Sequence, residues 1–295
     1  MSRFDVKVCV VNANRVDFDR EIDWSILSPK ASSSSTSKST DTKEDENVIV
    51  YHDDLGINPT DEEIIKRCSN GIEVLVTKEI PISADCIMGL PDSVKLICEA
   101  GTGYNNINLQ ACKQRDIQVR NVPSYSEASV ASLVITFLLN LSCGMKQCQA
   151  ELLQDDRNRF HKGLPYDTCF EVEGKVLGIV GGRGKIGSRV TTIATAMGMR
   201  VLISSRSMPS LDASSTQDNV EYTTSIDNLL ANSDFVSLHC PLNAETKNLI
   251  NADSLRKMKR TSYLINTARG TSLSFSFFHD MTFCYVMFIM IIFSM

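Results

Sequence analysis

The sequence has no basic excess: 30 Lys and Arg stand against 35 Asp and Glu, a formal charge of −5 over 295 residues. That argues against a general nucleic-acid binder, which needs a basic stripe to neutralise phosphates. Ten cysteines are present, yet none forms a CxxC pair. Neither a zinc pattern nor a disulfide framework follows, and a reduced, cytoplasmic setting is the expectation. Residues 1–12 hold an apolar run too short for a signal peptide, with no small-residue cleavage site after it. The apolar stretch 281–293 falls short of the roughly 20 residues a membrane-spanning helix needs, and His279 and Asp280 block its extension. A membrane partner is therefore not expected. What is present is a globular composition, 43% apolar and 22% charged, on a length that suits two domains.

Short β-rich runs recur at 7–11, 47–51, 72–77, 94–98 and 117–121, with helical stretches between most of them. Alternation of this kind predicts a parallel sheet with helices on its faces. Thr60-Asp-Glu-Glu63 has capping-box spacing, and Ile64, Ile65 and Cys68 supply the apolar face behind it. Residues 31–46 are nearly all Ser, Thr, Lys and acidic residues, which predicts a disordered surface insertion. Ser124-Tyr-Ser-Glu127 repeats the capping-box spacing, so a long helix is expected to open near Ser124. Val130, Leu133, Val134, Phe137, Leu138 and Leu141 recur behind it at helical spacing, a stripe that core packing and dimerisation explain equally well.

A second α/β block opens at Lys175, with strand candidates at 175–180, 200–204, 234–239 and 262–266. The first runs into Gly181-Gly-Arg-Gly-Lys-Ile-Gly187, where GxGxxG falls on Gly182, Gly184 and Gly187. The three glycines suit a tight strand-to-helix turn, close approach of a pyrophosphate, and close helix–strand packing. Ile186, Val190, Ile193, Ala194 and Met197 give the following helix one apolar face, and Gly198 suits its C-terminus. A strand before and an amphipathic helix after the glycines are the context that raises this motif above an ordinary glycine-rich turn. The extra glycine, Gly181, leaves the register of the turn open. At the end of the next strand an NAD site places an acid about 20 residues on, for the ribose 2′-hydroxyl. Here the residues are Ser204, Ser205, Arg206 and Ser207, with no carboxylate before Asp212. Hydroxyls and a guanidinium favour a 2′-phosphate, hence NADP over NAD, the plain alternative being a solvated loop arginine.

Five stretches stand in order: Glu99-Ala-Gly-Thr-Gly-Tyr-Asn-Asn-Ile107, Asn121-Val-Pro-Ser124, the glycine motif, Ser233-Asp-Phe-Val-Ser-Leu-His-Cys-Pro-Leu242, and Met258 through Asn266-Thr-Ala-Arg-Gly270. Together they resemble the D-isomer-specific 2-hydroxyacid dehydrogenases, with the glycerate dehydrogenase and hydroxypyruvate/glyoxylate reductase branch nearest. The resemblance implies a flavodoxin-like substrate domain over 1–122, with the insertion 31–46, and a doubly wound Rossmann domain over 123–270. The remaining residues, 271–295, read as an atypical apolar tail, rich in phenylalanine. It implies hydride transfer between NAD(P)H and a small 2-keto or 2-hydroxy acid such as hydroxypyruvate, glyoxylate or glycerate, in a homodimer.

By the same resemblance, Thr102 and Gly103 offer amides to the substrate carboxylate, and Arg269 clamps the carboxylate or carbonyl oxygen as the catalytic electrophile. Lys185 and Ile186 lie against the pyrophosphate, Ser205 and Arg206 at the adenosine ribose, and Cys240, Pro241, Thr246 and Thr267 on the nicotinamide-ribose side. His239 is not at the family's acid position and reads as wall or core. The family's proton donor is a histidine tuned by a glutamate, both after the arginine motif. Here no glutamate follows Glu245 and the one later histidine is His279. The expectation is thus a truncated chain, its Rossmann sheet incomplete and its activity impaired. The alternative is a non-catalytic dinucleotide sensor or interaction protein on the same fold.

Overall fold

Parallel pairing organises both halves of the chain in the computed structural model, which describes residues 6–17, 19–27, 47–53, 58–145, 149, 153, 169–206, 219–273 and 287–290. The expected insertion 31–46 lies outside the described residues, as do His279 and most of the tail. Two compact units result, Met1–Tyr125 and Ser126–Met295.

In the first unit, strands β1 (Val8–Val10), β2 (Val48–Val50), β3 (Val74–Thr77), β4 (Leu96–Glu99) and β5 (Gln118–Asn121) form one sheet in the order β2-β1-β3-β4-β5. Every pair is parallel, and the order is the flavodoxin-like one. Helices α1 (Asp61–Arg67), α2 (Ala84–Gly89) and α3 (Leu109–Gln114) connect the strands. The capping box of α1 forms as the spacing predicts: the Glu63 N–H donates to Thr60 Oγ1, and the Thr60 N–H donates to the Glu63 carboxylate. Ile64, Ile72, Leu75, Ile87 and Ile97 fill the core between helices and sheet, all fully buried. Each such side chain contributes about 1.5–3 kcal/mol by leaving water.

The second unit opens with α4 (Glu127–Cys143). The helix starts two residues later than Ser124: Ser126 is its N-cap residue, without a side-chain capping bond of its own, and Glu127 pairs with Lys185 at 3.7 Å. The apolar stripe of α4 is used inside the unit, since Val134, Ile135, Leu138 and Leu141 share a core with Leu177, Ile179, Val190 and Phe235. Strands β6 (Val176–Val180), β7 (Arg200–Ser204), β8 (Val220–Thr223), β9 (Phe235–Leu238), β10 (Tyr263–Asn266) and β11 (Met287–Met290) build a sheet ordered β11-β10-β9-β6-β7-β8. Read from its middle, this is the dinucleotide-fold order, reversing between β6 and β9. Helices α5 (Lys185–Ala196), α6 (Ile226–Asn232) and α7 (Ala252–Lys257) complete it.

The tail, expected to be atypical and apolar, supplies one further strand to this sheet. A sixth strand, β11, pairs in parallel with β10, Tyr263 opposite Met287 and Asn266 opposite Met290. A continuous apolar run too short for a membrane span has the length and composition of a parallel strand, which is commonly covered on both faces. Among the described residues, no helix is long and apolar enough to cross a membrane.

Candidate functional site

The glycine turn lies at the carboxyl end of β6, where the order of the second sheet reverses. Open α/β sheets bind ligands in such crevices. Four glycines shape the turn, each under a different constraint. Gly181 takes the left-handed conformation, φ +84°, and a Cβ there would meet the His239 carbonyl at 2.8 Å. This settles the register: Gly181, not Gly182, makes the left-handed turn. Gly182 is needed because a Cβ would fall 2.8 Å from the buried side chain of Ile203. Gly187 is needed because a Cβ would come 2.6 Å from Gly182 Cα, so the helix and turn touch backbone to backbone. Gly184 is exposed, and its Cβ would meet nothing nearer than 3.4 Å.

That open position is the N-cap of α5, which has no side-chain cap bond. Unpaired N–H groups and the positive end of the helix dipole therefore face a space left free by glycine, the requirements of a pyrophosphate. Lys185 is exposed beside it. Ile186 packs its side chain on the core, so only its backbone faces the turn.

Other expected cofactor residues fall around the same edge of the sheet. Ser205 continues β7, its N–H donating to the Thr223 carbonyl at 3.0 Å. Arg206 is exposed and 3.7 Å from the Glu245 carboxylate, a partner that the sequence reading did not foresee. Cys240 is buried, and burial raises its thiol pKa, which keeps it a neutral wall. Thr246 is committed to its own loop: its hydroxyl donates to the Pro241 carbonyl at 2.6 Å and accepts from the Asn243 N–H at 2.8 Å. Thr267 differs, for its buried Oγ1 has no hydrogen-bond partner among the described residues. A buried hydroxyl left without a partner is costly and fits a group completed by a ligand. The residues present thus fit a dinucleotide.

Arg269 follows β10 at this edge. The turn before it is fixed by Asn266, whose Oδ1 accepts from the Ala268 N–H at 3.0 Å and whose Nδ2 donates to the Arg269 carbonyl at 3.0 Å. The guanidinium donates only to its neighbour's carbonyl, Ala268 O, at 3.1 Å, and no carboxylate pairs with it among the described residues. His239, after β9, bonds Ser237 Oγ through Nε2 at 2.9 Å, and burial pushes its pKa down to about 4. It is neutral at pH 7, which agrees with wall rather than proton donor.

In the first unit the loop carrying Thr102 and Gly103 follows β4. It is pinned on both sides: Val122 N–H donates to Gly101 O at 3.0 Å, and Asn121 Nδ2 donates to Thr102 O at 2.8 Å. Thr102 is exposed and Gly103 half-buried. Beneath the loop lies a group missed from sequence, Glu99, only 1% exposed. Its carboxylate accepts from the Glu79 N–H at 2.9 Å and from Asn106 Nδ2 at 3.0 Å. Burial raises its pKa against the opposing pull of those bonds and of Lys78. An acid closing an apolar strand beside Gly-Thr-Gly was the available signal.

A polar cleft also opens at the amino ends of β6 and β7, lined by Arg200, Glu221, Asn232 and Lys259. Its cations are already paired, Arg200 with Glu221 at 2.7 Å and Lys259 with Asp234 at 2.8 Å. It sits at the wrong edge of the sheet for the cofactor crevice.

A Rossmann-type sheet with this turn at its reversal point defines a dinucleotide-binding α/β unit. Residues 135–276 match the family described as D-isomer specific 2-hydroxyacid dehydrogenase, NAD binding domain. A putative 2-hydroxyacid dehydrogenase of Haemophilus influenzae is 34% identical over 213 residues, 71% of this chain and 64% of that protein. A glycerate dehydrogenase of Methylorubrum extorquens is 34% identical over 212 residues, 72% of this chain and 63% of that one. The crystal structure of an Aquifex aeolicus D-lactate dehydrogenase with NAD and lactic acid superposes with a TM-score of 0.68 at 28% identity, covering 91% of this chain and 71% of that one. Residues 135–276 thus belong to the D-isomer specific 2-hydroxyacid dehydrogenase NAD-binding family, and the chain beyond them is similar to those relatives. The chain spans less than two thirds of the length of these two curated relatives.

Proposed function

We propose that the protein is a nicotinamide-dependent oxidoreductase of small 2-keto and 2-hydroxy acids, with hydroxypyruvate, glyoxylate and glycerate as its substrate class. The second unit would hold the dinucleotide and the first the acid's carboxylate, with the cytoplasm as setting and a homodimer as assembly. The observation that carries the reading is the pairing of an open Gly184 at the α5 N-terminus with an uncommitted Arg269 at the same edge of the sheet. A bound reduced nicotinamide supplies the hydride. Thr102 and Gly103 would fix the substrate carboxylate through backbone N–H groups. Arg269 would hold the carbonyl oxygen with its planar fork and stabilise the charge that grows on it. Ser205 and Arg206 would meet a 2′-phosphate, giving NADPH preference over NADH.

The described histidine of the second unit, His239, is neutral and hydrogen-bonded to Ser237, so it does not protonate the forming alkoxide. This favours a second reading, a dinucleotide-binding protein with little turnover. A positioned general acid contributes about 10²–10⁴-fold, so the two readings differ by a measurable rate. Mixing the protein with NADPH and hydroxypyruvate or glyoxylate, and following loss of the reduced cofactor, decides between them. Turnover supports the oxidoreductase. Tight NADPH binding without turnover supports the second reading, and no binding refutes both.

A further inference from the structure

We propose that Lys78 is a further substrate-binding residue, an ammonium set beside the loop 101–103 to take an oxygen of the substrate carboxylate. The inference deepens the keto-acid reading and rests on it.

Lys78 directly follows β3, and β3 lies beside β1 where the order of the first sheet reverses. The carboxyl end of such a reversal is where open α/β sheets take their ligands. The ammonium lies against Gly101, since a Cβ on that residue would stand 2.8 Å from Lys78 Nζ. The cation and the amides of Thr102 and Gly103 therefore border one loop.

The side chain is enclosed, 17% exposed, yet its donors are poorly used. An ammonium has three N–H donors. Those of Lys78 meet Tyr125 Oη at 3.3 Å and approach the Glu79 carboxylate at 3.6 Å, with the Tyr125 ring centred 5.8 Å away. Charge-assisted bonds of full strength are shorter, about 2.7–2.9 Å. Glu99, the buried carboxylate nearby, already accepts from the Glu79 N–H and from Asn106. Its field holds the cation in place without consuming the donors. An anionic oxygen arriving at the loop would complete them, and Lys78 would then discriminate 2-keto acids from neutral ketones.

Oxalate, an unreactive planar dicarboxylate, is the probe, titrated calorimetrically into the full chain in the presence of NADPH. Lys78→Met should weaken oxalate binding by at least about tenfold, the scale of one charge-assisted hydrogen bond. Lys78→Arg should retain most of it. Because Lys78→Met leaves Glu99 without a nearby cation, the double variant Lys78→Met/Glu99→Gln guards against misfolding. Any loss of stability shared by the two variants is read from their melting temperatures, and the double variant should still bind oxalate weakly. Wild-type affinity in the double variant overturns the role of Lys78 alone. A wild-type chain that binds NADPH but no oxalate overturns the keto-acid reading, and this inference with it.

Discussion

His239 and Arg206 show how a single neighbour sets what a side chain does. Burial lowers the His239 pKa from 6.5 to about 4. The unfolded chain therefore binds more protons than the folded one between those values, and stability falls as pH drops from 6.5 through 4. The largest loss this single group can cause is roughly 3 kcal/mol. Urea unfolding at pH 7.5 and pH 4.5 should show that His239→Gln, which keeps a partner for Ser237, loses less stability on acidification than the wild type. Equal losses would contradict the burial argument. Arg206 faces the exposed Glu245 carboxylate at 3.7 Å, a competitor for any 2′-phosphate. Arg206→Ala should weaken NADPH binding and leave NADH binding little changed, whereas Glu245→Gln should strengthen NADPH binding severalfold. Fluorescence titration with both cofactors reads all three effects. The Ser-Arg pair was legible because the sequence runs straight from strand into loop. Glu245 was not, because it reaches Arg206 across a fold that sequence order does not display.

At the scale of elements, the glycine turn separates packing from ligand binding. Gly187→Ala puts a methyl 2.6 Å from Gly182 Cα, and backbone has nowhere to yield. Overpacking of this kind costs about 1–3 kcal/mol. Gly184→Ala meets only the Gly181 carbonyl at 3.4 Å, an ordinary contact, so its melting temperature should stay near that of the wild type while NADPH affinity drops. If both variants lost stability equally, Gly184 would be structural and the cradle reading would fail. In the first unit, Thr60→Ala removes a formed capping box and should cost about 1 kcal/mol in denaturant unfolding. The motif order and the parallel strands could be read from sequence because apolar runs and glycines are local signals. The short helices α2, α3, α6 and α7 carry too few turns to show periodicity. Their caps, Ser83, Asn108, Ser225 and Asn251, were the available signs. β8 was missed for a related reason: it is an edge strand, only one residue of which is buried.

For the whole molecule, the tail matters more than its composition foretold. β11 covers the hydrogen-bonding edge of β10, and the register runs over four residue pairs. A chain ended after Leu273 should melt lower and scatter more light, since it bares a central parallel edge. Unchanged melting and a monodisperse solution would show that β11 adds nothing to the sheet. Sequence reading missed this strand because an apolar run of that length is ambiguous between strand, buried helix and anchor until its neighbours are known.

The account stands most directly on dinucleotide capture at the Gly181-to-Gly187 turn. Calorimetric titration of the full chain with NADPH and NADH, for wild type and Gly184→Ala, tests it in one experiment. The account predicts one site per chain, tighter for NADPH, and weakened at least about tenfold by a substitution that leaves the melting temperature unchanged. Absence of binding in the wild type, or equal affinity in Gly184→Ala, would contradict it.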